Sequence, residues 1–106
     1  MENFDEKLEA FVAGCTNIRY VSFEKAGYLS FANPTLVYRV GKRYVKLIEQ
    51  NMKNEDQSVF CFVDRTNGDV LKSASWKAPA KGARGNIFDE HNGLARITPN
   101  GTQYNI

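Results

Sequence analysis

The chain has 106 residues, 42% of them apolar, with only three prolines and a formal net charge of +2. That length suits a single domain, residues 1–106, around one modest core, with little room for a second domain or a deep, enclosed active site. The composition excludes a disordered chain, and the near balance of charge excludes a polycation.

The charge is nevertheless uneven. In residues 1–14, Glu2, Asp5, Glu6 and Glu9 stand against Lys7 alone, whereas residues 25–48 carry Lys25, Arg39, Lys42, Arg43 and Lys46 with no acid. A basic face for an anionic partner is one reading, and ordinary solubility and edge protection on exposed strands is the other. Cys15 and Cys61 are far apart and share no CxxC spacing, so no metal or redox chemistry and no cofactor is expected of them. The acidic start has no apolar signal-peptide core, and no window approaches a membrane-spanning length. The expectation is a reduced intracellular compartment and no membrane partner.

In chain order, residues 3–14 read as an amphipathic helix. Phe4, Leu8, Phe11, Val12 and Cys15 recur at three- and four-residue spacing, with Phe4 and Phe11 as core anchors. Asn3 suits the N-cap, Asp5 and Glu6 suit the positive end of the helix dipole, and Gly14 suits the close. Residues 16–34 read as irregular, with strand-like composition at Arg19–Phe23. Thr35–Val40 and Arg43–Glu49 flank Gly41-Lys42 as a hairpin, with Val45 and Leu47 on one face and Tyr44, Lys46 and Ile48 on the other. Residues 50–57 are polar and read as a surface loop.

Val59–Val63 reads as the central strand, apolar on both faces, so each face requires a cover. The N-terminal helix suits one face, and the chain after Trp76 suits the other. Asn67-Gly68 turns the chain into a short strand at 69–72, because Asn-Gly between apolar runs favours a tight primed turn. Strands 35–40, 43–49, 59–63 and 69–72 are expected to be sequential neighbours. The fold class is therefore α+β: an N-terminal helix packed on an antiparallel meander, with a long C-terminal loop region. Leu94–Thr98 is an edge-strand candidate in the turn-rich segment 91–106. Phe11, Val45, Leu47, Phe60, Phe62 and Trp76 are the expected buried core.

The segment 77–86 has Ala, Gly, Pro and cations but no bulky apolar side chain. Four cations, Lys72, Lys77, Lys81 and Arg84, fall between Asp69 and Asp89 with no acid among them. It reads as an ordered loop pinned by Trp76 and Pro79 at one end and by Ile87-Phe88 at the other. Lys77, Lys81 and Arg84 would then point outward. The strings Phe62-Val63-Asp64, Asn67-Gly68-Asp69, Ser75-Trp76-Lys77-Ala78-Pro79-Ala80-Lys81 and Ala83-Arg84-Gly85-Asn86-Ile87 resemble a group of small proteins encoded by tailed bacteriophages, many from aquatic samples. The resemblance covers roughly the central third of the chain. It implies a viral origin and action in the cytoplasm of an infected bacterium, and it transfers no catalytic residue.

No catalytic signature stands out. The single histidine, His91, has a turn-like setting, and Asp64 and Asp69 stand where turns want Asp. Asp64, Asp69, Asp89 and Glu90 are the acids that a metal would need to gather, and the turn reading is preferred to a metal site. Gly82-Ala83-Arg84-Gly85 lacks the spacing of a P-loop. The sequence thus points to a non-enzymatic protein, first a protein-interaction or structural domain, with a nucleic-acid or nucleotide phosphate binder using the basic loop 77–86 as the alternative. Its partner is a host or phage protein, a second copy of itself, or a nucleic acid. The candidate binding residues are Trp76, Lys77, Lys81 and Arg84, with Tyr44 as a second stacking ring.

Overall fold

Leu8, Phe11, Cys15 and Arg19 are spaced by three, four and four residues, and in the computed structural model, which describes residues 3–102, all four are buried on one face of a single long helix. This helix, α1, spans Phe4–Ala26. It runs through Gly14, where the sequence suggested a stop, and replaces the irregular stretch expected after residue 16. The reason is tertiary. A Cβ at Gly14 would lie 2.5 Å from Leu94 Cδ1, so this glycine admits a packed leucine instead of ending the helix. The end comes at Gly27, which takes φ 76° and donates its N–H to Glu24 O. Asn3 does occupy the N-cap position, but it caps no N–H with its side chain.

Arg19 explains why the strand-like composition at 19–23 is overridden. Its buried guanidinium donates to the carbonyls of Pro34 and Asn33 and to that of Pro99, each at 3.0 Å, and forms an ion pair with Glu49. Its Cζ also lies 4.8 Å from the Phe23 ring centre and 5.8 Å from that of Phe60. Burying a charge is tolerable only when it is this fully paired.

Five strands follow: β1 Leu36–Val40, β2 Tyr44–Gln50, β3 Asp56–Asp64, β4 Asp69–Ser73 and β5 Pro79–Asn86. They form one antiparallel sheet in the order β1-β2-β3-β4-β5, a meander with sequential neighbours. A small ribbon of β6 (Ile97–Thr98) and β7 (Gly101–Thr102) completes the described chain. The segment expected as a loop at 77–86 is thus largely an edge strand. It lacks the β-branched and aromatic residues that mark strands in a sequence, and it is held by pairing with β4. The polar loop at 50–57 is shorter than expected, because β2 reaches Gln50 and β3 begins at Asp56. Asn51 organises what remains by accepting the Lys53 and Glu55 N–H groups. The Asn67-Gly68 link is a four-residue loop closed by Gly68 N–H to Asp64 O at 2.7 Å, not a two-residue primed turn. Residues 103–106, the end of the turn-rich tail, lie outside the described residues, and of the edge strand expected at 94–98 only Ile97–Thr98 is a strand, paired with Gly101–Thr102.

The helix covers one face of the sheet. Leu8, Phe11 and Cys15 join Leu36, Val45, Leu47, Phe60, Cys61, Val63 and Val70, and Ile87 and Ile97 of the C-terminal segment complete this core. Phe60 and Cys61 are consecutive yet both belong to it. The pairing shifts between Leu47↔Cys61 and Ile48↔Val59, a bulge that leaves Phe60 without a cross-strand partner and turns it inward. Cys15 and Cys61 are free and buried, and burial pushes the Cys15 thiol up to about 12 and Cys61 upward as well, so both stay protonated and unreactive. Phe4 is only partly buried and packs its ring on Phe88 at 6.3 Å. The C-terminal segment is tied back by Asn92 Nδ2, which donates to Lys7 O and Ile87 O. No described helix is long and apolar enough to cross a membrane.

Two substitutions test this packing by urea denaturation. Arg19→Ala should destabilise by about 3–5 kcal/mol, since it leaves Glu49 unpaired, and Arg19→Lys should recover less than half of that because one ammonium cannot span four acceptors. Phe62→Ala, at a residue 2% exposed, should cost about 3–5 kcal/mol.

Candidate functional site

No helix among the described residues covers the second face of the sheet. Register places Arg39, Lys46, Phe62 and Leu71 on it, as Arg39↔Lys46, Lys46↔Phe62 and Phe62↔Leu71 are cross-strand pairs. Phe62 is buried there by small local means. The Tyr44 ring meets it edge-on at 6.0 Å, and the Lys46 ammonium lies 6.0 Å from its centre and 4.5 Å from that of Trp76. The chain after Trp76 does not cover this face as expected. It joins the sheet as β5, and only Trp76 and Lys77 reach over.

The loop that carries them is built by its neighbours. Ser75 Oγ accepts the N–H groups of Lys77 and Ala78, and the N–H groups of Ala74 and Ser75 both donate to Ala78 O at 3.1 Å. Ser73 Oγ donates to Ser75 O. Pro79 opens β5, a position where a missing N–H is tolerated. The Ser-Trp-Lys-Ala-Pro string is thus a tight side-chain-bonded loop with Trp76 and Lys77 at its tip. Trp76 was expected in the core, yet it is 43% exposed. It lies across the rim of the second face, beyond the reach of the helix-covered core.

Together these groups line an open trough of about 510 Å³, bounded by Arg39, Val40, Gly41, Lys42, Arg43, Tyr44, Lys46, Phe62, Trp76 and Lys77. Two of its five cations are paired. Arg39 donates to both oxygens of Asp56, at 2.6 and 3.3 Å, and Arg43 donates to Asp64 Oδ2 from Nε and Nη2. The Asp56 carboxyl is held below its usual range by Arg39 first and Gln50 second. Among the described residues, no carboxylate forms an ion pair with Lys42, Lys46 or Lys77. Arg43 also lies 5.3 Å from the Tyr44 ring centre. The trough is therefore cationic with aromatic walls, the pairing that takes phosphates and flat rings.

Trp76 and Lys77 meet the cations of the β1–β2 hairpin here, but Lys81 and Arg84 do not. Lys81 is exposed on β5, away from the trough lining. Arg84 was expected to point outward and is buried instead. Val70 pairs with Gly85 and Leu71 with Ala83, so Arg84 is the extra residue of a bulge and is re-aimed. It donates to Gly82 O and lines a separate depression with Asp69, Asn86, Asp89 and Arg96. Lys46, counted in the basic run of residues 25–48 but not among the candidate binding residues Trp76, Lys77, Lys81 and Arg84, belongs to the trough, and its alternation with Val45 and Leu47 is the local signal that it faces away from the helix. No group of three His, Cys, Asp or Glu side chains among the described residues is placed to hold a metal. Asp64 serves its turn, accepting the Thr66 N–H at 2.8 Å and the Thr66 hydroxyl at 2.6 Å.

Residues 17–101, most of the chain, match a family of unknown function (DUF7717). No curated protein and no solved structure matches the chain.

Asp64 supplies a pH test of the rim. Burial alone would raise its carboxyl, but the Thr66 and Arg43 hydrogen bonds outweigh burial and hold it below the usual range. A depressed folded-state value means that its contribution is present above about pH 4, the unfolded value, and is lost as pH falls through the folded value. Asp64→Asn should therefore cost about 1.5–3 kcal/mol at pH 7. The gap to the wild type should close below about pH 4 in urea melts.

Proposed function

We propose that this chain, which belongs to that family of unknown function, is a non-enzymatic binding module that holds a single-stranded nucleic acid along the trough. One observation carries this reading: Lys77 and Trp76 from the loop 74–78 converge with Arg39, Lys42, Arg43 and Lys46 on one open face. Cations spaced along a groove follow a phosphate backbone, and an exposed indole offers a base a surface to stack on without reading its sequence. The trough is open and shallow, which suits a strand laid along it better than an enclosed metabolite. The resemblance of the 75–87 stretch to phage proteins supports a role in the cytoplasm of an infected bacterium, with phage or host nucleic acid as partner. A protein-interaction or structural role is the second reading. It is favoured by Tyr20, Val21, Tyr28 and Phe31, large apolar side chains exposed along the second half of α1 and the turn after it.

Trp76 is the only tryptophan, so its fluorescence reports the site directly. Titration with single-stranded and duplex DNA and RNA at two salt concentrations should quench it most with single strands. Trp76→Ala, which lacks the reporter and is therefore followed by the anisotropy of a dye-labelled single strand, should weaken binding about 5- to 150-fold, the loss of one stacked base. Lys77→Ala should lower the slope of log affinity against log salt by about 0.7, and Lys81→Ala should leave the slope unchanged. Absence of binding by the wild type, or equal loss in Lys77→Ala and Lys81→Ala, would reject the nucleic-acid reading and leave the protein-interaction one.

A further inference from the structure

The sheet has two edges, β1 and β5, and they are built differently. β5 is blunted. It opens with Pro79, carries Lys81, and its register with β4 breaks twice. These are the devices by which a strand edge avoids further pairing. β1 has none of them. Its five residues, Leu-Val-Tyr-Arg-Val, pair with β2 in unbroken register. Its only charge, Arg39, is tied to Asp56.

The hairpin geometry shows which backbone groups are left over. Gly41 N–H donates to Tyr44 O, so that pair is hydrogen-bonded and the antiparallel ladder alternates from it. Arg39 and Val37 direct their N–H and C=O groups to β2, whereas Leu36, Tyr38 and Val40 direct theirs to the open edge. None of these three N–H groups finds a partner among the described residues. Tyr38 and Val40 are also 37% and 57% exposed, which is high for apolar strand residues.

We propose that β1 pairs with β1 of a second copy of this chain, antiparallel about a two-fold axis through Tyr38, so that two five-stranded sheets become one. The strand is complementary to itself in that register. Tyr38 meets Tyr38, Leu36 meets Val40, and Val37 meets Arg39, so no like charges stand opposite one another and the outward N–H and C=O groups of Leu36, Tyr38 and Val40 are all satisfied. The axis is perpendicular to the sheet, so both helices lie on one side and both basic troughs on the other. The pairing stands independently of what the trough binds.

The axis residue makes the test specific. Sedimentation velocity at increasing concentration should show the wild type passing from one chain mass to two. Tyr38→Lys and Tyr38→Glu each set like charges face to face at the axis. Each alone should stay monomeric with an unchanged circular-dichroism spectrum, and an equimolar mixture of the two should associate again. Tyr38→Cys should cross-link two chains on mild oxidation, while Lys81→Cys on the other edge should not. A wild type that stays monomeric at the highest concentration, a mixture that fails to associate, or cross-linking through Lys81→Cys would each overturn the proposal.

Discussion

The guanidinium of Arg19 is the constraint on which the rest of this structure depends. It is withdrawn from water on the helix face that meets the sheet, so each of its donors must find an acceptor. Four acceptors come from three places: the connector carbonyls of Asn33 and Pro34, the Glu49 carboxylate at the end of β2, and the Pro99 carbonyl in the turn between β6 and β7. Glu49 in turn accepts the Ser58 hydroxyl, which ties β2 to β3. One side chain therefore sets how far α1 continues, where the chain leaves it for the sheet, and where the C-terminal segment crosses back. The aromatic rings of Phe23 and Phe60 flank the charge and add attraction through their π faces.

With α1 held on one face, the sheet is two-sided in a simple way. Its inner face is an aliphatic and aromatic core sealed by α1 and the C-terminal segment. Its outer face carries no helix among the described residues, and Phe62 is shielded there by the Tyr44 ring and Lys46, which in turn lies over Trp76. This arrangement forces polar and aromatic groups together. A lysine stem and an indole are amphipathic enough to cover a buried ring while presenting a charge and a π surface to solvent. The trough is thus a by-product of how the second face is finished, and its binding chemistry follows from the same residues that keep Phe62 dry.

The charge balance of the trough is more moderate than the acid-free run of residues 25–48 suggests. Arg39 and Arg43 are answered by Asp56 and Asp64, both remote in sequence: Asp56 opens β3, one strand beyond β2, and Asp64 pairs with Tyr44 at the other end of β3. The uncompensated charge rests on lysines, whose flexible ammonium groups suit a phosphate backbone better than a rigidly shaped anion. Arg84, the cation that the sequence placed beside Lys77, is removed from this face by the β5 bulge. A strand bulge shifts which side of the sheet a residue serves, and nothing in the residue's own identity announces it.

What the sequence by itself determined is whatever local periodicity and turn chemistry can express. The first half of α1, the four apolar or β-branched strands, their antiparallel sequential order, and the split of Val45 and Leu47 from Tyr44, Lys46 and Ile48 were all legible, because each depends on residues a few positions apart. The two cation sets and Trp76 could be named as site candidates on the same local grounds. Only the tertiary structure decided the second half of α1, where the buried row continues with an arginine whose acceptors lie up to 80 positions away. It also decided that Gly14 accommodates Leu94, that Ala- and Gly-rich 79–86 becomes a strand by pairing, and that Trp76 lies on the rim while Arg84 turns inward. In each case the deciding energy is a long-range contact or a ladder hydrogen bond, and a polar or small residue carries no local mark of the partner that will satisfy it.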